Sequence, residues 1–219
     1  MFAEGSIDHC LLAALLERIA QQRANYNWPV SAEDGADLFP IRKRGHGGVR
    51  DALHRIVKML GTPPLADYAV FVAVVDGRSP GALRELRDLV SRAGSERFVL
   101  GVAICEIEAW WLADRTATLR WLGFGSGSPQ GLRYARAGYM AEKDDAPKRT
   151  LGELTRRSDR LDRAYGDGNL ELAREFAQSW RSCARLGDLE SQCPKGFKPF
   201  CKGAAAALRR AKARAGVLF

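Results

Sequence analysis

Tyr68-Ala-Val-Phe-Val-Ala-Val-Val75, closed by Asp76, and Phe98-Val-Leu-Gly-Val-Ala-Ile104, closed by Cys105-Glu106-Ile107-Glu108, are the stretches on which the fold turns. A strand with one wet face alternates apolar and polar residues. These two runs do not, so each predicts a strand covered on both sides, as in a parallel sheet between helices. Between them, residues 81–93 place Leu83, Leu86 and Val90 at helical spacing. Strands and helices then alternate through residue 114, which argues for an α/β fold.

Outward toward the N-terminus, residues 8–20 carry Leu11, Leu12, Leu15, Leu16 and Ile19 on one helical stripe, with Ser6 or Asp8 available as a cap. Only Met1-Phe2-Ala3-Glu4 precedes it, room for a very short strand. Residues 24–48 read as irregular, with Pro29, Gly35, Pro40 and Gly45-His46-Gly47-Gly48. A helix follows with Val49, Leu53, Ile56, Val57 and Leu60 on its apolar face and Arg50, His54 and Lys58 as a cationic stripe. Thr62-Pro63-Pro64 ends it.

Toward the C-terminus, residues 123–131 form a Gly/Ser loop, and helical segments are expected near 150–163, 169–185 and 203–215. The C-terminal helices lack apolar faces sufficient to fold alone. The expectation is therefore one domain over 1–219, with a core at about 1–120 and a helical C-terminal extension at about 132–219.

Composition bounds the rest. An apolar share of 46% and a charged share of 27% in 219 residues are globular values. No apolar run approaches the ~20 residues of a membrane span. Glu4 precedes any apolar stretch, so no secretory signal is read, and the five cysteines, an odd count with no pair spaced Cys-x-x-Cys, are expected as reduced thiols in the cytoplasm. Cys183, Cys193 and Cys201 match no common zinc spacing. The formal charge is +8, and after Glu190 only cations follow. Such clustering favours polyanions by counterion release, or serves solubility alone.

Three strand-like segments end in acid: Glu4, Asp76, and Glu106 with Glu108. In open α/β sheets, sites form where strands end and helices begin. Carboxylates crowded there repel one another, and a hard divalent cation such as Mg²⁺ relieves the repulsion while orienting a phosphate. The plainer reading is also open: Asp76-Gly77 is a turn pair, and Glu106 and Glu108 are acids of a first helical turn.

At these residues the sequence resembles a family. Glu4-Gly5-Ser6-Ile7-Asp8 before an apolar helix looks like the opening motif of Toprim-like proteins, and the strand ending in Asp76 looks like their second motif. Val102-Ala-Ile-Cys-Glu-Ile-Glu-Ala-Trp-Trp-Leu-Ala-Asp114 is similar to the hallmark of a bacterial Toprim-like group, the domain-of-unknown-function family 4276. Ala146-Pro147-Lys148 and Cys193-Pro194-Lys195-Gly196-Phe197 resemble its later motifs.

The resemblance implies a Toprim-like fold, a mostly parallel central sheet flanked by helices. It also implies magnesium- or manganese-dependent phosphodiester chemistry on DNA or RNA, in the company of nucleases of bacterial defence. By it, Glu4, Asp76 and Glu108 are the catalytic and metal-binding carboxylates, with Glu106 as a further metal ligand. An ATPase partner protein is implied as well. One departure stands out: the family carries Asp-x-Asp at the second motif, and here Asp76-Gly77-Arg78 puts a cation in the last place. Arg78 either contacts phosphate or marks an inactive scaffold that binds nucleic acid or regulates a partner.

Arg42-Lys43-Arg44-Gly45-His46, leading into a helix, is a second candidate for phosphate contact, with a mobile basic loop as the alternative. His46 reads as the most exposed histidine, and His9 and His54 as helix-surface residues. Lys148 lies where it can approach the acids as a phosphate ligand. Trp110, Trp111 and Trp121 have the chemistry to stack on bases, but their spacing beside Leu112 and Leu122 favours the core.

Overall fold

The computed structural model describes residues 1–25, 45–62, 65–77, 80–93, 96–124, 131–162, 164–166 and 170–216. Arg42, Lys43, Arg44 and Arg78 lie outside them.

Both apolar runs are strands. β1 spans Phe71–Asp76 and β2 spans Phe98–Ala103; they pair in parallel from Phe71 opposite Phe98 to Asp76 opposite Ala103. The short N-terminal segment joins the other edge of β1. Phe2 N–H donates to Val72 O at 2.8 Å, and Val74 N–H donates to Phe2 O at 2.9 Å, again in parallel sense. β1 is therefore central, which is why its residues are buried without alternation until Asp76.

Helices cover both faces. Helix α1 (Ser6–Arg23) follows the N-terminal segment, α2 (His46–Met59) precedes β1, and α3 (Pro80–Arg92) links β1 to β2. The pleat sends Phe71, Ala73 and Val75 toward Leu53 and Ile56 of α2 and Leu86 of α3. Val72, Val74, Val99 and Ala103 face the opposite way, into a larger core that runs from Ala3 to Leu208.

After β2 come α4 (Glu108–Ala113), α5 (Arg115–Trp121), α6 (Pro147–Arg156), α7 (Leu170–Cys183), α8 (Leu186–Gln192) and α9 (Phe197–Gly216). The chain is thus α/β, with a small parallel sheet inside a mainly helical body. Among the described residues, no helix is long and apolar enough to cross a membrane.

The tryptophans join the strand layer to the C-terminal helices. Trp110 stacks on Phe200 of α9 at 5.2 Å, and Trp111 stacks on Phe176 of α7 at 4.5 Å; both are fully buried, and Trp121 nearly so. Aromatic burial on this scale dominates core energetics, and it leaves these rings unable to stack on bases. Helix α9 runs so close to the sheet that a Cβ at Gly101 would lie 2.8 Å from Phe200 and from Val74.

Three buried acids are structural. Asp114 Oδ1 caps α5 by accepting from Ala117 N–H at 3.0 Å, while Oδ2 accepts from Arg185 N–H at 2.8 Å. Glu142 accepts from the backbone N–H of Lys195 at 3.0 Å and of Gly196 at 2.5 Å, ahead of α9. Asp144 accepts from Thr150 Oγ1 at 2.6 Å, Tyr139 OH at 2.9 Å and Ala146 N–H at 3.0 Å. With Pro147 at the first turn, this fixes the start of α6.

Part of the C-terminal basic run also ties the fold together. Arg209 donates to Arg23 O at 2.6 Å, Lys212 to Asn25 O at 2.7 Å, and Arg210 pairs with Glu96 at 3.2 Å.

Candidate active site at the strand ends

Glu4 leaves the N-terminal segment at the sheet's carboxyl edge. Its Oε1 accepts from Asp76 N–H at 3.0 Å, and its carbonyl accepts from Gly45 N–H at 3.2 Å. Those two bonds bring the end of β1 and the start of α2 against one glutamate, 72 residues from Asp76 in the chain. His46, the first residue of α2, places Nδ1 3.7 Å from Glu4 Oε1. It is half-buried, not the exposed loop residue that its glycine neighbours suggest. His9 is likewise not a plain surface residue: its Nε2 accepts from Ala3 N–H at 3.2 Å and so steadies the N-terminal segment.

Beyond β2 the backbone turns sharply. Glu106 N–H bonds to Ile104 O at 3.0 Å, and Cys105 between them has φ of 64°, a conformation costly for a residue with a Cβ. The turn sends Glu106 and Glu108 in different directions. Glu106 Oε2 accepts from Lys148 N–H at 3.1 Å, at the start of α6. Glu108, the first residue of α4, is buried and accepts from Tyr165 OH at 2.7 Å.

A fifth acid completes the group. Asp8 sits in the first turn of α1, where Oδ2 accepts from Gly5 N–H at 3.0 Å and caps the helix. Burial, and then repulsion from Glu108, push its carboxyl up to about 7. Asp76 is pushed higher, to about 8, first by burial and then by Glu4, Asp8, Glu108 and Glu106. Glu108 is raised mainly by burial, against the pull of the Tyr165 hydrogen bond. Lys148 acts in the opposite sense on both Asp8 and Glu108.

Five carboxylates from three separate stretches, 4–8, 76 and 106–108, thus meet at one edge of the sheet, where the charges of their neighbours bear on Asp8 and Asp76. Against models of known families, curated proteins and solved structures, the chain finds no match.

The structure brings Glu4, Asp76, Glu106, Glu108, His46 and Lys148 together, as the sequence positions suggested for the acids and the lysine. Asp8 and Tyr165 were not anticipated as site residues. Asp8 had a signal, because a helix starting beside a strand end aims its first-turn acid at that edge. Tyr165 had none, since 57 residues separate it from Glu108.

The donor set suits a hard cation: oxygen ligands, several charges, and two carboxyls whose protons are held by burial and then by the neighbouring acids. Among the described residues, no three His, Cys, Asp or Glu side chains already stand together in a ligand shell. Magnesium does not require one, since it commonly keeps several waters and takes one or two carboxylates plus substrate phosphate oxygens.

Proposed function

We propose that this edge of the sheet is the active site of a metal-dependent enzyme that cleaves or transfers phosphodiesters in nucleic acid. The observation that carries it is the convergence of Glu4, Asp8, Glu106 and Glu108 on Asp76, whose proton affinity burial and these four acids raise, beside Lys148. Hydrogen bonds account for the positions of Glu4, Asp8, Glu106 and Glu108 singly, but not for their meeting around Asp76.

Glu4, Asp76 and Glu108 would hold Mg²⁺ or Mn²⁺, with Asp8 and Glu106 at its margin. Bound there, the ion would polarise a phosphoryl oxygen and lower the pKa of a water. The chain's own residues supply the rest. Tyr165 holds Glu108 in one orientation through its hydroxyl. The Asp76 N–H fixes Glu4. Lys148 offsets negative charge, and its position at the start of α6 suits contact with a phosphate oxygen. His46 beside Glu4 is placed to exchange a proton with a leaving or attacking oxygen.

The test is cleavage of labelled DNA and RNA, single- and double-stranded, with Mg²⁺, Mn²⁺ or EDTA. Asp76→Asn and Glu108→Gln should each lower the metal-dependent rate at least about a hundredfold while the fold is retained. Cleavage that survives both substitutions, or that ignores EDTA, rejects the assignment. A second reading is favoured by Arg78, which replaces a carboxylate of the family motif. It is an inactive scaffold that binds nucleic acid, and it predicts salt-sensitive binding, indifferent to EDTA, with no cleavage by any metal.

A further inference from the structure

Next to the acids lies an open groove of about 470 Å³, with Glu106, Lys148 and Tyr165 on the side toward the cluster. Its other principal lining comes from α6: Arg149, Gly152 and Arg156. The volume is in the range of small-ligand sites. We infer that this groove is a phosphate-binding subsite that holds a nucleic-acid strand beside the acid cluster, with Arg149 and Arg156 as its anion-binding residues. The inference rests on the proposed action on nucleic acid and specifies where the neighbouring phosphate is held.

The geometry of α6 carries it. Arg149 and Arg156 are seven residues apart, so they share a helix face two turns apart, about 10 Å along the axis. Gly152 lies between them on that face, and a Cβ there would meet Tyr165 O at 3.2 Å, so the close approach of the Tyr165 segment to α6 forms the wall of the groove. Each arginine is oriented through Nε: Arg149 on Glu153 Oε1 at 3.1 Å, and Arg156 on Gly152 O at 3.1 Å. Their Nη edges are then the groups to meet a phosphate, and guanidinium forks suit that geometry.

Charge agrees. Lys148, Arg149 and Arg156 face Glu106 and Asp145 around the groove. Asp145 is paired with Arg133 at 2.6 Å and Arg149 with Glu153 at 3.1 Å, which leaves Lys148 and Arg156 against Glu106, so the lining is net positive beside an edge that is negative. A polymer of phosphates crossing from one to the other meets a cation-binding edge and an anion-binding groove one residue apart. The groove is open to solvent, so a strand can continue past it.

The test uses the full chain and a labelled single-stranded oligonucleotide in EDTA, with anisotropy read between about 50 and 200 mM salt. The double substitution Arg149→Ala/Arg156→Ala should weaken binding about tenfold. It should also flatten the plot of log affinity against log salt by about 0.7, the value of one lost phosphate contact on a single strand. Arg84→Ala/Arg87→Ala is the control, because those exposed arginines are on α3, which covers the opposite face of the sheet. It should change affinity less than about twofold. Equal effects of the two pairs, or none from the α6 pair, overturn the subsite. Wild-type cleavage in Mg²⁺ is scored separately. Binding lost in the α6 pair, with no cleavage by wild type, keeps the subsite and removes the enzyme reading. Cleavage by wild type with unchanged binding in the α6 pair does the reverse.

Discussion

Replacing Asp76 by asparagine should make the metal-free protein more stable, by an amount that grows with pH. The Asp76 carboxyl is held up at about 8, against 3.8 for an ordinary aspartate, by burial and by the surrounding acids. Between those values the unfolded chain has lost the proton and the folded chain keeps it. The folded state therefore binds more protons, and stability falls as pH rises from about 4 to about 8. One proton corresponds to about 1.4 kcal/mol per pH unit, which over the interval from 3.8 to about 8 sets a ceiling of about 6 kcal/mol above pH 8. The shift at Asp8 includes the charge of Glu4 and that at Asp76 includes the charge of Asp8, so the two costs do not add. Side-chain relaxation and water entry reduce the ceiling further. An advantage of about 2–4 kcal/mol for Asp76→Asn at pH 9 is expected.

The slope is the sharper quantity. Urea unfolding in EDTA should show the variant gaining on wild type by roughly 1 kcal/mol per unit between pH 5 and pH 8, then levelling off. Asparagine keeps the shape of the side chain and the backbone N–H to Glu4, so a packing effect would be the same at every pH. Millimolar Mg²⁺ or Mn²⁺ should stabilise wild type at pH 8 through preferential binding to the folded state and narrow the gap. A pH-independent difference, or a variant weaker than wild type at pH 9, would refute the idea that the carboxylates at this edge strain the fold.

Tyr165→Phe should cost about 1 kcal/mol at pH 9 and less at pH 5, because the hydroxyl favours ionised Glu108 and that form is populated only at higher pH. Paired urea midpoints at the two pH values check it, and equal losses would show that the bond does not act on the Glu108 charge. Glu142→Gln places an amide where the carboxylate takes the N–H groups of Lys195 and Gly196, and should cost about 2–3 kcal/mol. Scanning calorimetry should show a midpoint lower by roughly 5–10 °C, and a drop under about 2 °C would deny Glu142 its anchoring role.

Both strands were legible because each had to be covered on two sides and therefore carried no polar alternation. The core role of Trp110, Trp111 and Trp121 was legible from spacing alone. The acids at the strand ends were legible for the same topological reason, since each follows an apolar run directly. Other features depended on partners remote in sequence. Helix α6 begins at Pro147 rather than near 150 because Asp144 collects Thr150, Tyr139 and Ala146 around that turn. Helix α9 begins at Phe197 rather than near 203, with the Lys195 and Gly196 N–H groups before it bound to Glu142 more than 50 residues earlier. Pro199 falls in the first turn of that helix, where proline is tolerated. The cations after Glu190 left polyanion binding and solubility both open, and the positions of Arg209, Arg210 and Lys212 depend on where Arg23, Asn25 and Glu96 lie in space.

The protein contains its own comparison for the acid cluster. Asp114, Glu142 and Asp144 are as buried as any site residue, and each is surrounded by donors: backbone N–H groups for all three, hydroxyls for Asp144, and the Arg185 guanidinium near Asp114. That is how this sequence treats an acid whose task is to hold the fold, because an unsatisfied buried carboxylate is expensive. At the strand ends donors also reach Glu4, Asp8, Glu106 and Glu108, but there acids face acids as well. Burial leaves Asp8 and Asp76 with raised proton affinity, other acids are their neighbours, and the turn at Cys105 that delivers Glu106 and Glu108 is itself strained. Strain of backbone and of charge in one place persists only where the surrounding structure enforces it, and such places are characteristically functional. Here the enforcement comes from β1 and β2, from the short segment at Phe2, and from the tryptophans that lock α4 against α7 and α9. The scaffold's stability is thus concentrated where it can hold together charges that would otherwise separate.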